Sequence, residues 1–228
     1  FHHAIFCMPT GTYDSRGRSD WIGYGYLPGS RVYANEGWCD KLTLLMHEIG
    51  HNLGLYHSGD DGVQYADTTG MMGYSSSTPN GPLKCFNGVK NWYLGWYNAK
   101  KGTLTAGHSW RGRIAAFTEF YDADINKGEY VLVRVSDMYL LYNRQNSFNS
   151  GTAYGNTVTI TTGTGYDDLS ELLATLGQGD SFTRSGYTMR VCSFVYGSPD
   201  YANILIYPSS GSPLSCSASD PATPAPTP

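Results

Sequence analysis

One stretch of the chain carries a clear helical pattern. Leu42, Leu45, Met46, Ile49 and Leu53 recur at spacings of three and four, which makes a single apolar stripe. Asp40 stands where an N-cap would, and Gly54 is a natural stop. A second helix is expected around 85–94, ending at Gly95. Ahead of these, residues 1–35 read as short strands between glycine and proline punctuation. One covers 1–8 and another 21–27, closed by Pro28-Gly29. Residues 58–84 read as loop. From Thr103 onward, β-branched and aromatic segments at 129–135, 138–142, 157–162, 187–196 and 202–207 alternate with turn residues. That texture predicts an antiparallel sandwich, with 168–176 as a short helical insert. A boundary is expected near Lys100-Lys101-Gly102, and no repeat of fixed period occurs.

Composition narrows the class. The chain has 228 residues, of which 14% are aromatic, and only 15% are charged. So much apolar and aromatic material argues against disorder. Lys and Arg total 15 against 19 Asp and Glu, so there is no basic stripe to neutralise phosphates and nucleic acid is not an expected partner. The longest apolar runs, such as 130–133 and 204–207, fall far short of the ~20 residues of a membrane span.

Five cysteines, Cys7, Cys39, Cys85, Cys192 and Cys216, form no CxxC pair. Their wide spacing predicts a secreted, disulfide-bonded protein. Cys192 and Cys216 are expected to join, as both sit near the C-terminal end of the fold. An odd count leaves one thiol free or paired outside this chain. No Asn-x-Ser/Thr acceptor occurs. The N-terminal residues lack a basic and apolar leader and read as a strand in progress, so a processed or incomplete chain is expected. The Pro/Thr-rich end at 221–228 reads as a solvated tail or linker, or as an O-glycosylated stalk.

The chemistry concentrates in His47-Glu48-Ile49-Gly50-His51-Asn52-Leu53-Gly54-Leu55-Tyr56-His57. His47 and His51, four apart on a helix, leave the same face. Two nitrogens on one face can bind one Zn²⁺. Gly54 permits a bend with positive φ that returns His57 toward the same ion. Three neutral imidazoles leave one coordination position open, which marks a catalytic rather than a structural site. Glu48 is badly placed as a ligand but can reach a water there as general base. Peptide-bond hydrolysis is the reaction class expected.

The pattern H-E-x-x-H-x-x-G-x-x-H resembles the metzincin zinc metallopeptidases. The resemblance implies a methionine turn beneath the metal, and Thr69-Gly70-Met71-Met72-Gly73-Tyr74 fits it, with Met72 as the turn methionine and Met71 as the alternative. Within metzincins the chain is similar to the gametolysin family of algal extracellular matrix proteases. The similarity rests on residues 47–58, on 67–73, and on Cys85-Phe86-Asn87 followed by Trp92-Tyr93-Leu94-Gly95-Trp96. It implies a secreted zinc endopeptidase acting on Pro- or hydroxyproline-rich wall glycoproteins. A metzincin domain ordinarily has a longer segment ahead of its first histidine and is preceded by a propeptide, so the resemblance implies either a chain that begins after processing or one that lacks an N-terminal segment or propeptide.

The fold class expected is α+β. A metzincin-like catalytic domain at 1–102 precedes an antiparallel β-sandwich at 103–216 and a tail at 217–228. Gly23, Tyr24, Gly25 and Tyr26 read either as the edge strand that receives an extended substrate or as an ordinary strand with tyrosines outward. Tyr74, two residues after Met72, reads as a metal-proximal switch by resemblance, or as a ring covering the core edge. Asp60, Asp61 and Asp67 form a weak calcium candidate. His2, His3 and His108 are lone histidines with surface or strand roles. The rival readings are a catalytically silent structural or surface-assembly glycoprotein on a metzincin scaffold, and a carbohydrate-binding β-region.

Overall fold

The computed structural model describes residues 2–74, 81–165 and 167–216. The tail at 217–228 lies outside the described residues. The chain opens with strands β1 (Ala4–Met8), β2 (Gly23–Gly25) and β3 (Arg31–Asn35). β3 is central, with β1 parallel on one side and β2 antiparallel on the other. Alternation sends the buried Val32 and Ala34 to one face, where helix α1 (Leu42–Asn52) packs on β2 and β3. Phe6, Tyr33 and Tyr24 are register partners on the other face, and their rings stack with centroids 5.1 Å apart. A Cys7–Cys39 disulfide ties β1 to the segment entering α1.

The helix starts later than an Asp40 cap requires. Lys41 is the N-cap residue and makes no side-chain cap bond, while Asp40 pairs with its ammonium at 3.1 Å. The strand expected at 21–27 is ordered as strand only over Gly23–Gly25.

A six-stranded sheet is built from β4 (Ser58–Asp60), β5 (Lys101–Thr103), β8 (Leu132–Val135), β9 (Met138–Asn143), β10 (Thr157–Thr162) and β11 (Ser170–Leu176). Its order is β4-β11-β10-β9-β8-β5. A five-stranded sheet takes β6 (Trp110–Ala115), β7 (Glu129–Tyr130), β12 (Ser181–Arg184), β13 (Tyr187–Val195) and β14 (Tyr201–Pro208), in the order β12-β13-β14-β6-β7. Trp110, Met189, Val191, Ile204 and Ile206 of the second sheet share one core with Val133, Met138, Leu140, Val158 and Ile160 of the first. On the far face of the larger sheet, Tyr139 and Leu141 pack with Val89 of helix α2 (Gly88–Tyr93). β9 is therefore buried on both faces, which explains why 138–142 is apolar at every position and not at alternate ones.

The long strands pair antiparallel, as their alternation predicts. The short edge pairs β4–β11, β5–β8 and β6–β7 are parallel instead. The run 129–135, expected as one strand, changes sheets at Val131, whose N–H goes to the Lys100 carbonyl at 2.7 Å. Segment 168–176, expected as helix, is strand β11. Its leucines favour a helix locally, but pairing with β10 and β4 on either side overrides that preference. Helix α2 is shorter than the expected 85–94, because Asn87 caps it by accepting from the Lys90 N–H at 3.1 Å, and Gly95 follows with φ +72. β5 runs across position 102 and β4 comes from the preceding half, so the larger sheet draws on both sides of that position.

Cys192 and Cys216 are joined, as expected. Cys85 is the thiol left over, and burial pushes its pKa up to about 11. No helix among the described residues is long and apolar enough to cross a membrane.

Candidate metal centre

Helix α1 places His47 and His51 one turn apart, with ring centroids 4.9 Å from one another. The chain then leaves the helix at Gly54, whose φ is +92. The Gly54 N–H donates to the His51 carbonyl and the Leu55 N–H to that of Gly50, both at 2.9 Å. This turn brings His57 back, with its ring centroid 4.8 Å from that of His51 and 5.4 Å from that of His47. The candidate ligand atoms of the three lie within 4.8 Å of one another.

The donor set suits a tetrahedral metal. Bonds of ~2.1 Å in that geometry put ligand nitrogens ~3.4 Å apart, and His51 Nε2 and His57 Nε2 are 3.1 Å apart. His47 Nδ1 faces the Met71 carbonyl and His51 Nδ1 the Leu55 carbonyl, each at 2.8 Å. A carbonyl only accepts, so both rings carry their proton on Nδ1 and present a lone pair on Nε2. Burial, then the neighbouring imidazole of His51, lowers the His47 pKa to about 4. Burial, then His51 and His47, lowers that of His57 to about 3. Burial lowers His51 as well. All three are neutral at pH 7, the form that ligates.

Glu48 lies beside this cluster and is 5% exposed. Its carboxylate accepts from the Gly25 N–H, and Oε2 has no hydrogen-bond partner among the described residues. Burial raises its pKa to about 7. It opens onto a cavity of about 270 Å³ lined by Ile22, Gly23, Leu44, His47, Tyr65 and Tyr74, among others. A carboxylate with a free oxygen and a near-neutral pKa at a cleft can take up and give back a proton.

Gly23 and Gly25 bound β2, the candidate edge strand. At Gly25 the approaching element is α1: an added Cβ would meet the Glu48 carbonyl oxygen at 2.4 Å. Asn52 Nδ2 of the same helix donates to the Tyr26 and Arg31 carbonyls, each at 3.0 Å. The rings of Tyr24 and Tyr26 stand edge to face, with centroids 5.5 Å apart, in the outer aromatic group. Gly25→Ala should push β2 off the helix and shift Glu48. A lower denaturation midpoint than the wild type is expected, and an unchanged midpoint would contradict the close contact.

Met72 is fully buried, with its Sδ 2.4 Å from where a Cβ on Gly50 would stand, directly against the helix between the two ligand turns. Met71 contributes its carbonyl to His47. Thus of the two methionines considered, Met72 packs its side chain against the ligand helix and Met71 serves through its backbone. Tyr74 is 65% exposed at the cleft rim. Tyr65 and Tyr56 stand against the imidazoles instead, their ring centroids 4.0 and 4.8 Å from that of His57. The Tyr74 N–H donates to the Tyr65 carbonyl at 2.6 Å, which couples the two positions. Nothing in the spacing singled out Tyr65, which sits in a loop with φ +71.

The calcium candidates do not gather. Asp67 is fully buried and accepts from Thr69 and Asn87. Among the described residues, the histidine trio is the cluster of three or more His, Cys, Asp or Glu side chains able to share an ion. His3 pairs with Asn52 Oδ1 at 3.2 Å, and His108 contacts the Ala106 carbonyl. A network that the sequence did not suggest holds the third histidine. Asn87 Nδ2 donates to Asp67 Oδ2, Ser170 Oγ and Ser58 Oγ at 2.9, 3.0 and 3.2 Å. The Ser170 N–H donates to the His57 carbonyl at 3.2 Å.

Three imidazoles on a helix and its return, with a buried carboxylate alongside, form a candidate metal centre. Comparison with known proteins agrees: the family model described as gametolysin peptidase M11 matches residues 1–156. The chain belongs to that family. It is 29% identical to autolysin of Chlamydomonas reinhardtii over 97 residues, 40% of this chain and 14% of the relative. It is 36% identical to serralysin G of Dickeya chrysanthemi over 78 residues, 34% of this chain and 15% of the relative. The chain thus spans under a sixth of the length of either relative. No solved structure matches it.

Proposed function

We propose that the protein is a secreted zinc endopeptidase of the metzincin kind. His47, His51 and His57 are its ligands, Glu48 its general base and Met72 its turn methionine. The observation that carries this reading is the convergence of three imidazole nitrogens beside a buried carboxylate at a cleft. Zinc held there supplies Lewis-acid polarisation of a peptide carbonyl and lowers the pKa of water. Glu48 accepts the proton of the attacking water and hands it to the leaving amine. The Gly25 N–H fixes one carboxylate oxygen and leaves the other for the proton. Ile22 and Gly23, at the end of β2, line the cleft beside Glu48, where an extended substrate would lie. Tyr74 stands at the rim as a residue met by substrate. The two larger sheets act as a β-sandwich, both accessory region and support for the site. Kinship with the gametolysin family and similarity to an autolysin support matrix or cell-wall glycoproteins as substrates.

The test is cleavage of an unfolded protein substrate by the purified chain. Chelation should abolish cleavage and zinc should restore it. A folded, zinc-saturated chain that cuts nothing would leave the structural-scaffold reading standing.

A pH prediction follows for the zinc-stripped chain. Its three histidines have folded pKa values below the unfolded 6.5. The unfolded state therefore binds protons first as pH falls, and stability is lost from pH 6.5 downward. Glu48 works oppositely between 7 and 4.5, where the folded chain holds the extra proton. Three groups outweigh one, so the denaturation midpoint should fall between pH 6.5 and 4. A midpoint flat across that range would contradict the buried, neutral imidazoles.

A further inference from the structure

Resting on the three-imidazole reading above, we propose that Lys84 is a positioning residue of the site. Its ammonium group ties the entry of the methionine turn to its exit, and so fixes both the Met71 carbonyl behind His47 and the cleft-rim residue Tyr74. Lys84 Nζ donates to the Thr68 carbonyl at 3.2 Å and to the Tyr74 carbonyl at 2.7 Å. Those two residues stand on either side of 69–73, the segment that contains both methionines.

Lys84 is 4% exposed, and a lysine is almost never so deeply buried unless it is paired. Its hydrogen-bond partners among the described residues are these backbone carbonyls and not a carboxylate. Burial lowers its pKa to about 8, and the Asp67 carboxylate acts against that. At pH 7 it is therefore an ammonium, with a proton for each carbonyl. An apolar side chain of similar length would fill the same space without the cost of desolvating a charge. What the ammonium adds is the link between two backbone groups.

The turn between those carbonyls has its other backbone groups committed to the site. The Met71 N–H donates at 2.7 Å to the carbonyl of Cys85, the residue next to Lys84. The Met71 carbonyl faces His47 Nδ1 at 2.8 Å. The Met72 carbonyl accepts at 2.9 Å from the N–H of Ser58, the residue after His57. The Tyr74 N–H goes to the Tyr65 carbonyl, and the Tyr74 side chain lines the cleft. Lys84-Cys85 thus grips the turn at its entry, its middle and its exit. Loosening that grip reaches the metal centre through Met71 and His47, and the cleft through Tyr74.

The experiment compares the full chain with Lys84→Met, Lys84→Gln and, as a control outside the turn, Ile204→Ala in the core between the two larger sheets. Zinc affinity is measured by competition with a chromophoric chelator. Lys84→Met should bind zinc about 10-fold more weakly, the lower end of the usual effect of losing support behind a ligand histidine. Lys84→Gln, whose amide nitrogen still donates but sits one bond nearer the backbone, should fall between Lys84→Met and the wild type. It carries the same comparison if Lys84→Met does not fold. Ile204→Ala should lower the thermal midpoint through the cavity it leaves, with zinc affinity unchanged. In the zinc-free chains, hydrogen exchange should quicken at the Met71 and Tyr74 amides of Lys84→Met and stay at wild-type rates in β9 and β10. Wild-type zinc affinity in both Lys84 variants overturns the proposal, as does an equal loss in Ile204→Ala or unchanged exchange at Met71 and Tyr74. If the wild type itself binds no zinc, the three-imidazole reading fails first, while the exchange measurement tests the hold of Lys84 on the turn by itself.

Discussion

Replacing Glu48 by Gln should lower kcat/KM for peptide hydrolysis by about 10²- to 10⁴-fold, the usual worth of a positioned acid–base group, with zinc content unchanged. The amide keeps the shape of the carboxylate and can still accept from the Gly25 N–H. It cannot take a proton from water at neutral pH. His47 and His51 do not depend on Glu48 for their orientation, since they are held by the Met71 and Leu55 carbonyls. Activity and metal content should therefore separate cleanly. Turnover at the wild-type rate in a zinc-loaded Glu48→Gln chain would remove Glu48 from the role of base.

The second large effect is expected far from the chemistry, at Asn87. Its side chain caps α2, and its NH₂ group reaches the buried Asp67 carboxylate and the two serines that flank the His57 strand. Asn87→Leu leaves Asp67 buried with one partner fewer and uncaps the helix. The first loss costs about 1–3 kcal/mol, more for a charged group, and the second about 1 kcal/mol. Unfolding in denaturant should show a loss of about 3 kcal/mol, and zinc affinity should fall with it, because β4 begins immediately after His57. A variant that loses stability but binds zinc as tightly as the wild type would show that the network supports the fold without positioning the ligand. Unchanged stability would contradict the network altogether.

The dependence of the metal centre on the larger sheet is also where reading the sequence stops short. Helix α1 was legible because Leu42, Leu45, Met46, Ile49 and Leu53 keep helical spacing, and the ligand trio because its spacing along the chain fixes its geometry through one helix turn and one glycine. The core strands β9, β10, β13 and β14 were legible because burial on one or two faces leaves a β-branched and aromatic record. Segment 168–176 was misread because Leu172, Leu173 and Ala174 suit a helix. Only pairing to Ser58–Asp60, 112 residues away in the chain, and to β10, 9 to 18 residues away, makes it a strand. The crossing at Val131 left no trace, since both halves of 129–135 are equally apolar. Tyr65 was invisible for a related reason. It lies in a loop whose polar, glycine-bearing sequence gives no period, and its proximity to His57 is set by the fold around it. Tyr74 drew attention by its spacing from Met72, yet the same loop carries it to the rim.

The account rests on three Nε2 atoms sharing one ion, and zinc K-edge X-ray absorption on the zinc-loaded chain tests that most directly. The prediction is one zinc per chain with three imidazole nitrogens at about 2.0–2.1 Å and one light oxygen ligand. A first shell with fewer than three imidazoles, or a folded chain that retains no zinc, would contradict it.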